Sequence, residues 1–343
     1  MPVQGTIACV TGATGFLGSE VVAQLLESGY QVHATVRSLA NVERNSCLLN
    51  LPGADSSRLT LLEADLLDEG AFDGCVAGAR YVFHTASPFV TNNITDPGLQ
   101  LIGPALNGTR NVFGSIRRAV ERGAPPPRVV LTSSIAALLG RPDDKAGCFD
   151  ESDWNLSSRP EGNPQGDGLD MYRYSKVAAE REAWRLAEEQ QLELATILPS
   201  FIMGPPRTPR TDGESLRNMR QAMEGEMPHR PDTPMIDVRD CAAAHLAAAE
   251  IEGAAGNRFV LSSRKAVPRA RLLQLLKKNY PKHKFADGGI PPDESNLREL
   301  FCSKTTEPLL HIKLRDPDQS LLEMAGAMLA LGSVKPTAYP DEL

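Results

Sequence analysis

The stretch Thr11-Gly12-Ala13-Thr14-Gly15-Phe16-Leu17-Gly18 decides the fold of this 343-residue chain. It follows an apolar run and opens a segment with helical periodicity, and its glycines are spaced GxxGxxG. In such a unit Gly12 permits a tight turn, Gly15 lets the backbone approach a pyrophosphate, and Gly18 allows close helix–strand packing. The N-terminus of the helix offers unpaired N–H groups to the phosphates. The stretch therefore predicts a dinucleotide site formed by Gly12, Thr14, Gly15, Phe16, Leu17 and Gly18.

Strand and helix patterns alternate outward from this loop along the first two-thirds of the chain. Helical patterns lie at 16–28, between Pro97 and Gly123, and at 172–190. Apolar runs predict strands at 6–10, 32–36, 59–64, 81–85, 128–132 and 194–198. Alternating strands and helices form parallel sheets with helices on both faces. We therefore predict the α/β class, with a Rossmann-type doubly wound parallel sheet and a smaller C-terminal substrate lobe.

The composition changes after Pro199, which suggests a second unit. Residues 204–234 are rich in Pro, Gly, Arg and Met and predict a loop on the substrate side. A strand at 235–238, a helix at 239–252 and a strand at 258–261 are expected to return to the sheet, and helices are expected near 269–279 and 319–331. The predicted division is a dinucleotide-binding Rossmann domain of 1–203 with 235–262 returning to it, and a substrate-binding lobe of 204–234 and 263–343.

Composition and charge exclude several classes of partner. The formal net charge of −7 disfavours binding along a phosphate backbone, so no nucleic acid is expected. The chain shows no signal-peptide pattern and no run of about 18 apolar residues, so a cytoplasmic protein without a membrane span is expected. The histidines and cysteines show no metal-ligand spacing, so no metal is expected. Free thiols are predicted for all six cysteines, Cys9, Cys47, Cys75, Cys148, Cys241 and Cys302.

The end of the second predicted strand indicates which dinucleotide is bound. Chains that bind NAD usually carry an acidic residue there, about 20 residues past the glycines, for the ribose hydroxyls. Here the strand ends in Thr35-Val36-Arg37-Ser38, and Arg44 follows shortly after. A guanidinium pairs bidentately with a 2′-phosphate. Arg37 and Arg44 therefore predict NADP(H) as the cofactor.

Tyr172 and Lys176 form a YxxxK pair in a predicted helix. Residues four apart share one helix face, so both side chains can reach one ligand. A neighbouring ammonium is expected to lower the pKa of Tyr172 from about 10, which suits a general acid or base. Ser133 and Ser134 follow the fifth predicted strand at the same sheet edge. A hydroxyl there can polarise a substrate carbonyl. We therefore predict Ser134, Tyr172 and Lys176 as catalytic residues.

As an ordered set, the motifs resemble the extended short-chain dehydrogenases/reductases, and more narrowly the group of dihydroflavonol reductase, cinnamoyl-CoA reductase and yeast-type aldehyde/ketone reductase. The matching segments include TGATGFLG at 11–18, VFHTASP at 82–88, RVVLTSSIAAL at 128–138, YRYSKVAAEREAW at 172–184 and IDVRDCAAAH at 236–245. The inserts around 159–170 and 204–234 do not carry a substrate pattern of the plant enzymes.

The resemblance implies roles for further residues. It selects Ser134 rather than Ser133 as the catalytic serine, and it places Tyr172 and Lys176 against the cofactor as well as the substrate. Other residues implied to contact the cofactor are Asp65 and Leu66 at the adenine, Thr85, Ala86 and Ser87 in the groove, and Pro199 and Ile202 over the nicotinamide.

The expected activity is reduction of a small-molecule aldehyde or ketone by NADPH, with Tyr172 as the proton donor. Alternatives in the same superfamily are a hydroxysteroid-type dehydrogenase using NAD(P) and a nucleotide-sugar epimerase or dehydratase. A dehydratase is expected to carry an Asp-Glu pair after the strand-five hydroxyl, where this chain has Ile135-Ala136. A dinucleotide-binding redox sensor without turnover would tend to lack Tyr172. The sequence leaves open the substrate, the stereochemistry, the direction, and whether the protein is a monomer or a homodimer.

Overall fold

The computed structural model describes residues 5–55, 57–87, 96, 98–141, 143, 145–162, 169–208 and 212–337. The strands in this part of the chain are β1 (Ile7–Thr11), β2 (Gln31–Val36), β3 (Leu59–Glu63), β4 (Tyr81–His84), β5 (Arg128–Thr132), β6 (Leu194–Pro199), β7 (Phe201–Met203), β8 (Met235–Asp237) and β9 (Arg258–Leu261). The α-helices are α1 (Phe16–Glu27), α2 (Val42–Leu49), α3 (Asp73–Val76), α4 (Gly103–Glu121), α5 (Asp170–Glu189), α6 (Glu214–Met223), α7 (Val238–Glu250), α8 (Arg269–Asn279), α9 (Thr306–Leu310) and α10 (Pro317–Ala330).

A seven-stranded sheet in the order β3-β2-β1-β4-β5-β6-β9 forms the centre of the molecule. Every pairing within it is parallel. Helices α1 and α7 pack together over one apolar core, and α4 and α5 pack together over the other. The predicted Rossmann-type α/β fold is confirmed. The strand order reverses between β1 and β4, and ligands of such sheets bind at that crevice, beyond the carboxyl ends of the strands.

A smaller apolar core lies between β7, α6, α8 and α10. The 204–234 segment, predicted as a loop, contains α6, which buries Leu216 and Met219 in this core. The expectation that 235–238 returns to the central sheet is wrong, because β8 pairs with β7 in a separate two-stranded sheet. The second expected strand does return, since β9 lies beside β6. The division of the chain into two domains stays a prediction.

Two cysteines contradict the expectation of free thiols. Cys148 and Cys302 form a disulfide bond across 154 residues of sequence. It joins the segment that follows β5 to the segment that precedes α9. Irregular spacing cannot reveal such a pair, because the two residues meet only through the fold. Cys9, Cys47, Cys75 and Cys241 are buried thiols.

Candidate active site

The glycine loop between β1 and α1 has the close backbone approaches that its spacing predicts. Gly12 has a φ of +69°, and a Cβ there would lie 2.9 Å from the Cα of Ala86. A Cβ on Gly18 would lie 2.3 Å from the carbonyl oxygen of Gly12. Helix α1 starts from Gly15 as its N-cap, with no side-chain cap. The loop therefore leaves a narrow cradle of backbone groups at a helix N-terminus, which fits a pyrophosphate.

The end of β2 is tied to this loop. Thr35 accepts hydrogen bonds from Gly12 N at its Oγ1 and from Ala13 N at its carbonyl oxygen, both at 3.2 Å. Arg37 follows two residues later and is exposed. Arg44 is half-buried on α2, and its Nη2 lies 3.9 Å from Asp212 Oδ2. The two predicted arginines therefore differ in their surroundings: Arg37 is exposed, whereas Arg44 has a carboxylate nearby.

The segment after β4, predicted to line the cofactor groove, is hydrogen-bonded to the end of β1. Thr85 Oγ1 donates to the carbonyl oxygen of Thr11 at 2.6 Å, and Ala86 N donates to Thr11 Oγ1 at 3.1 Å. Ser87, one residue further on, accepts a hydrogen bond from Lys176 Nζ at 2.9 Å. The predicted groove residues therefore connect the glycine loop to the predicted catalytic helix.

The residues expected at the adenine lie just past β3. Asp65 is exposed and accepts a hydrogen bond from Leu67 N at 2.9 Å. Leu66 packs on Gly108 of α4, and its carbonyl oxygen accepts from Asn111 Nδ2 at 3.0 Å. The contact with Gly108 needs a glycine, because a Cβ there would lie 2.5 Å from Leu66. The Asp65–Leu66 turn is thus held firmly against α4.

The three predicted catalytic residues meet at the carboxyl edge of the sheet. Tyr172 and Lys176 lie near the start of α5, with Lys176 Nζ 5.7 Å from the ring centre of Tyr172. Ser134, just past β5, forms a side-chain hydrogen bond with Tyr172. Its neighbour Ser133 turns the other way and donates to Glu180 at 2.6 Å. The two adjacent serines therefore have different surroundings, and Ser134 is the one that faces the tyrosine.

Burial controls the proton affinities of this group. It raises the pKa of Tyr172 to about 12, although Ser134 and the charge of Arg230 act in the opposite direction. Burial also lowers the pKa of Lys176 to about 8, against the charge of Glu180. The expectation of a lowered pKa for Tyr172 is wrong, because the cost of burying a phenolate outweighs the groups that favour it. At neutral pH Tyr172 keeps its proton, as a proton donor must.

His84 supports the groove and is not placed as a base. It is 2 % exposed, and its Nδ1 lies 2.8 Å from Thr11 Oγ1. Burial, with a smaller effect of the Lys176 charge, lowers the pKa of His84 to about 4. The neutral ring therefore orients Thr11, which in turn holds Ala86.

The segment between α6 and β8 adds one residue, Arg230, that motif spacing does not reveal. Arg230 lies in the segment between α6 and β8, and its guanidinium carbon is 4.8 Å from the ring centre of Phe201. Its charge also acts on Tyr172. Pro199 ends β6, and Ile202 lies in β7, packed against the main core.

In the described residues, no group of three His, Cys, Asp or Glu side chains is arranged to hold a metal ion. No helix described there is long and apolar enough to cross a membrane.

The fold and this site define a class of protein. The NAD dependent epimerase/dehydratase family matches residues 8–262, and the chain belongs to it. Among its relatives, tetraketide alpha-pyrone reductase 2 of Arabidopsis thaliana is 36% identical over 300 residues, covering 85% of this chain and 90% of the relative. Cinnamoyl-CoA reductase CAD2 of Medicago truncatula is 35% identical over 281 residues, covering 81% and 82%. The crystal structure of yeast methylglyoxal/isovaleraldehyde reductase Gre2 complexed with NADPH superimposes with a TM-score of 0.83 at 28% identity, covering 95% of this chain and 99% of that one.

Proposed function

We propose that this protein is an NADPH-dependent carbonyl reductase that reduces a small aldehyde or ketone. The observation that carries the proposal is the meeting of Ser134, Tyr172 and Lys176 beside the glycine loop, at the edge where a parallel sheet binds its ligands. The relatives named above are reductases, and the Gre2 structure is complexed with NADPH.

The cofactor would bind beside the glycine loop. The backbone of the glycine loop would bind the pyrophosphate, and Arg37 the 2′-phosphate. The ammonium of Lys176, 5.7 Å from the ring centre of Tyr172, would contact the cofactor as well. The remaining assignments are Thr14, Phe16 and Leu17 of the loop, Arg44, Asp65, Leu66, Thr85, Ala86, Ser87, Pro199 and Ile202. When bound, NADPH supplies the hydride.

The chain's own residues stabilise the negative charge on the substrate oxygen and supply its proton. Ser134 donates a hydrogen bond to the carbonyl oxygen and stabilises the negative charge that develops there. Tyr172 transfers its hydroxyl proton to the same oxygen. Lys176 stabilises the phenolate that this transfer leaves behind. Because burial raises the pKa of Tyr172 to about 12, the proton is in place at neutral pH.

The proposal is tested by NADPH oxidation with purified protein and a panel of aldehydes, diketones, flavonoid ketones and acyl-CoA thioesters. At least one carbonyl should be reduced. Tyr172→Phe should lower kcat by at least about a hundredfold, because general acid assistance is lost. NADPH binding, followed by the fluorescence of the bound cofactor, should change little. Absence of turnover with the whole panel, or near-normal turnover by Tyr172→Phe, would contradict the proposal.

The two-domain division and a cytoplasmic location are further parts of this proposal. Limited proteolysis and cell fractionation test them separately from the activity.

A further inference from the structure

A buried carboxylate lies one helical turn behind the catalytic lysine. Glu180 follows Lys176 by four residues on α5 and is 1 % exposed. Acidic side chains are almost never this buried unless they are paired. Glu180 is paired with Arg258 of β9, whose Nε donates to Oε1 at 2.7 Å and whose Nη2 donates to Oε2 at 3.1 Å. Thr196 Oγ1 of β6 also donates to Oε1, at 2.9 Å.

Arg258 is anchored on its other side. Its guanidinium carbon lies 3.8 Å from the ring centre of Trp154. Its Nη1 donates to the carbonyl oxygens of Glu151 and Asp153. The ion pair therefore connects β6, β9 and α5 with the segment that follows β5, and neither charge can move without disturbing the others.

A hydrogen bond and a shared cavity connect this ion pair with the active site. Glu180 Oε2 accepts from Ser133 Oγ at 2.6 Å, and Ser133 immediately precedes Ser134. On the other side, Glu180 and Lys176 line one small cavity of about 20 Å³. The carboxylate thus accepts a hydrogen bond from the serine turn, and Glu180 shares a cavity with the lysine.

We propose that Glu180 is a positioning residue of the reaction: its carboxylate keeps the Lys176 ammonium charged and holds Ser134 in register, while Arg258 holds the carboxylate in place. The effect on catalysis rests on the proposed function, whereas the effect on the charge of Lys176 does not. An ion pair that only stabilises the fold would have no such effect on Lys176, and buried ion pairs as a class are weak contributors to stability.

The groups that face Lys176 make Glu180 the source of the negative charge. They are His84 from β4, Ser87 beyond β4, Thr109 from α4, Ser133 beyond β5, and Tyr172 and Glu180 on its own helix. His84 is neutral at pH 7, since its pKa is lowered to about 4. Tyr172 is also neutral, since its pKa is raised to about 12. Glu180 is the carboxylate in this set, and its charge opposes the effect of burial on Lys176.

The direct test is an NMR titration of protein labelled with ¹³C-lysine, using Lys176→Met to identify the Lys176 signal. Glu180→Gln should lower the pKa of Lys176 by about one unit, because an opposite charge nearby favours the ammonium. Arg258→Met breaks the same ion pair but leaves the carboxylate, so it should not lower that pKa. The two variants serve as matched controls, because both lose the pair and only one loses the negative charge.

Where Glu180→Gln alone does not fold, the double variant Glu180→Gln with Arg258→Met removes both buried charges. It should still lower the pKa of Lys176, but by less, because a nearby positive charge is lost as well. An unchanged pKa of Lys176 in these variants, or an equal fall in Arg258→Met, would overturn the inference. With a carbonyl that the panel identifies, the alkaline limb of kcat/KM should move to lower pH in Glu180→Gln and not in Arg258→Met. The NMR titration needs no turnover. If no carbonyl of the panel were reduced, the proposed function would be rejected, and the titration would still test the effect of Glu180 on Lys176.

Discussion

Replacement of Arg37 by Asp should reverse the choice between NADPH and NADH. The side chain follows β2 directly, two residues beyond Thr35, which hydrogen bonds to the backbone of Gly12 and Ala13. Arg37 is therefore close in sequence to a point of contact with the glycine loop, and it is exposed. We expect its guanidinium to meet a phosphate on the adenosine ribose. An aspartate there would repel the phosphate and could accept hydrogen bonds from free ribose hydroxyls.

The size of the effect follows from the exposure of Arg37. A charge-assisted hydrogen bond contributes about 1.5–3 kcal/mol, and an exposed one lies near the lower end because water and salt screen it. Since about 1.4 kcal/mol corresponds to a factor of ten, the unmodified protein should favour NADPH by at least about tenfold in kcat/KM. Arg44 already has Asp212 Oδ2 at 3.9 Å. Arg44→Ala should therefore change the preference less than about fivefold.

The assay is steady-state kinetics with both cofactors, at low and at high salt, on the unmodified protein, Arg37→Asp and Arg44→Ala. The preference for NADPH should weaken as salt is added, because the contact is electrostatic and exposed. Equal use of NADH and NADPH by the unmodified protein would refute the role of Arg37. If Arg44→Ala lost more of the preference for NADPH than Arg37→Asp, the 2′-phosphate would be bound by Arg44 and not by Arg37.

Three further predictions concern the serine turn, the glycine loop and pH. Ser134→Ala should lower kcat by about a hundredfold, as removal of one oxyanion donor does, and near-normal turnover would remove Ser134 from the mechanism. Gly18→Ala should abolish NADPH binding, because its Cβ would lie 2.3 Å from the backbone oxygen of Gly12. The control is Gly114→Ala on α4, where an added Cβ would meet the end of the Arg118 side chain at 3.5 Å. This variant should bind NADPH normally in the same fluorescence titration. The pKa of Lys176 is lowered to about 8, so its ammonium is present below that pH and is lost above it; kcat/KM for reduction should fall as pH rises through about 8, and a profile that stays flat well beyond that value would contradict the role of Lys176.

Much of the fold and several site residues can be predicted because the patterns that specify them are local. Apolar runs locate all seven strands of the central sheet within a residue or two, since a strand buries a regularly spaced face. The motif at 11–18 requires glycines for its turn and close packing, and the structure has those contacts. Helix α6 was missed because its apolar stripe lies in a segment dominated by Pro, Gly and Arg, and packing against the second core stabilises it.

By itself, the sequence determines the Rossmann-type alternation, the glycine loop, and the order in which Ser134, Tyr172 and Lys176 reach one edge of the sheet. Only the tertiary structure decides that β8 pairs with β7, that Cys148 bonds to Cys302, and that burial raises the pKa of Tyr172. The same holds for Glu180 and Arg258, which are 78 residues apart. Local spacing specifies turns, helices and strands through backbone geometry. Partners distant in sequence, and the loss of water around a charge, depend on which surfaces pack together when the whole chain folds.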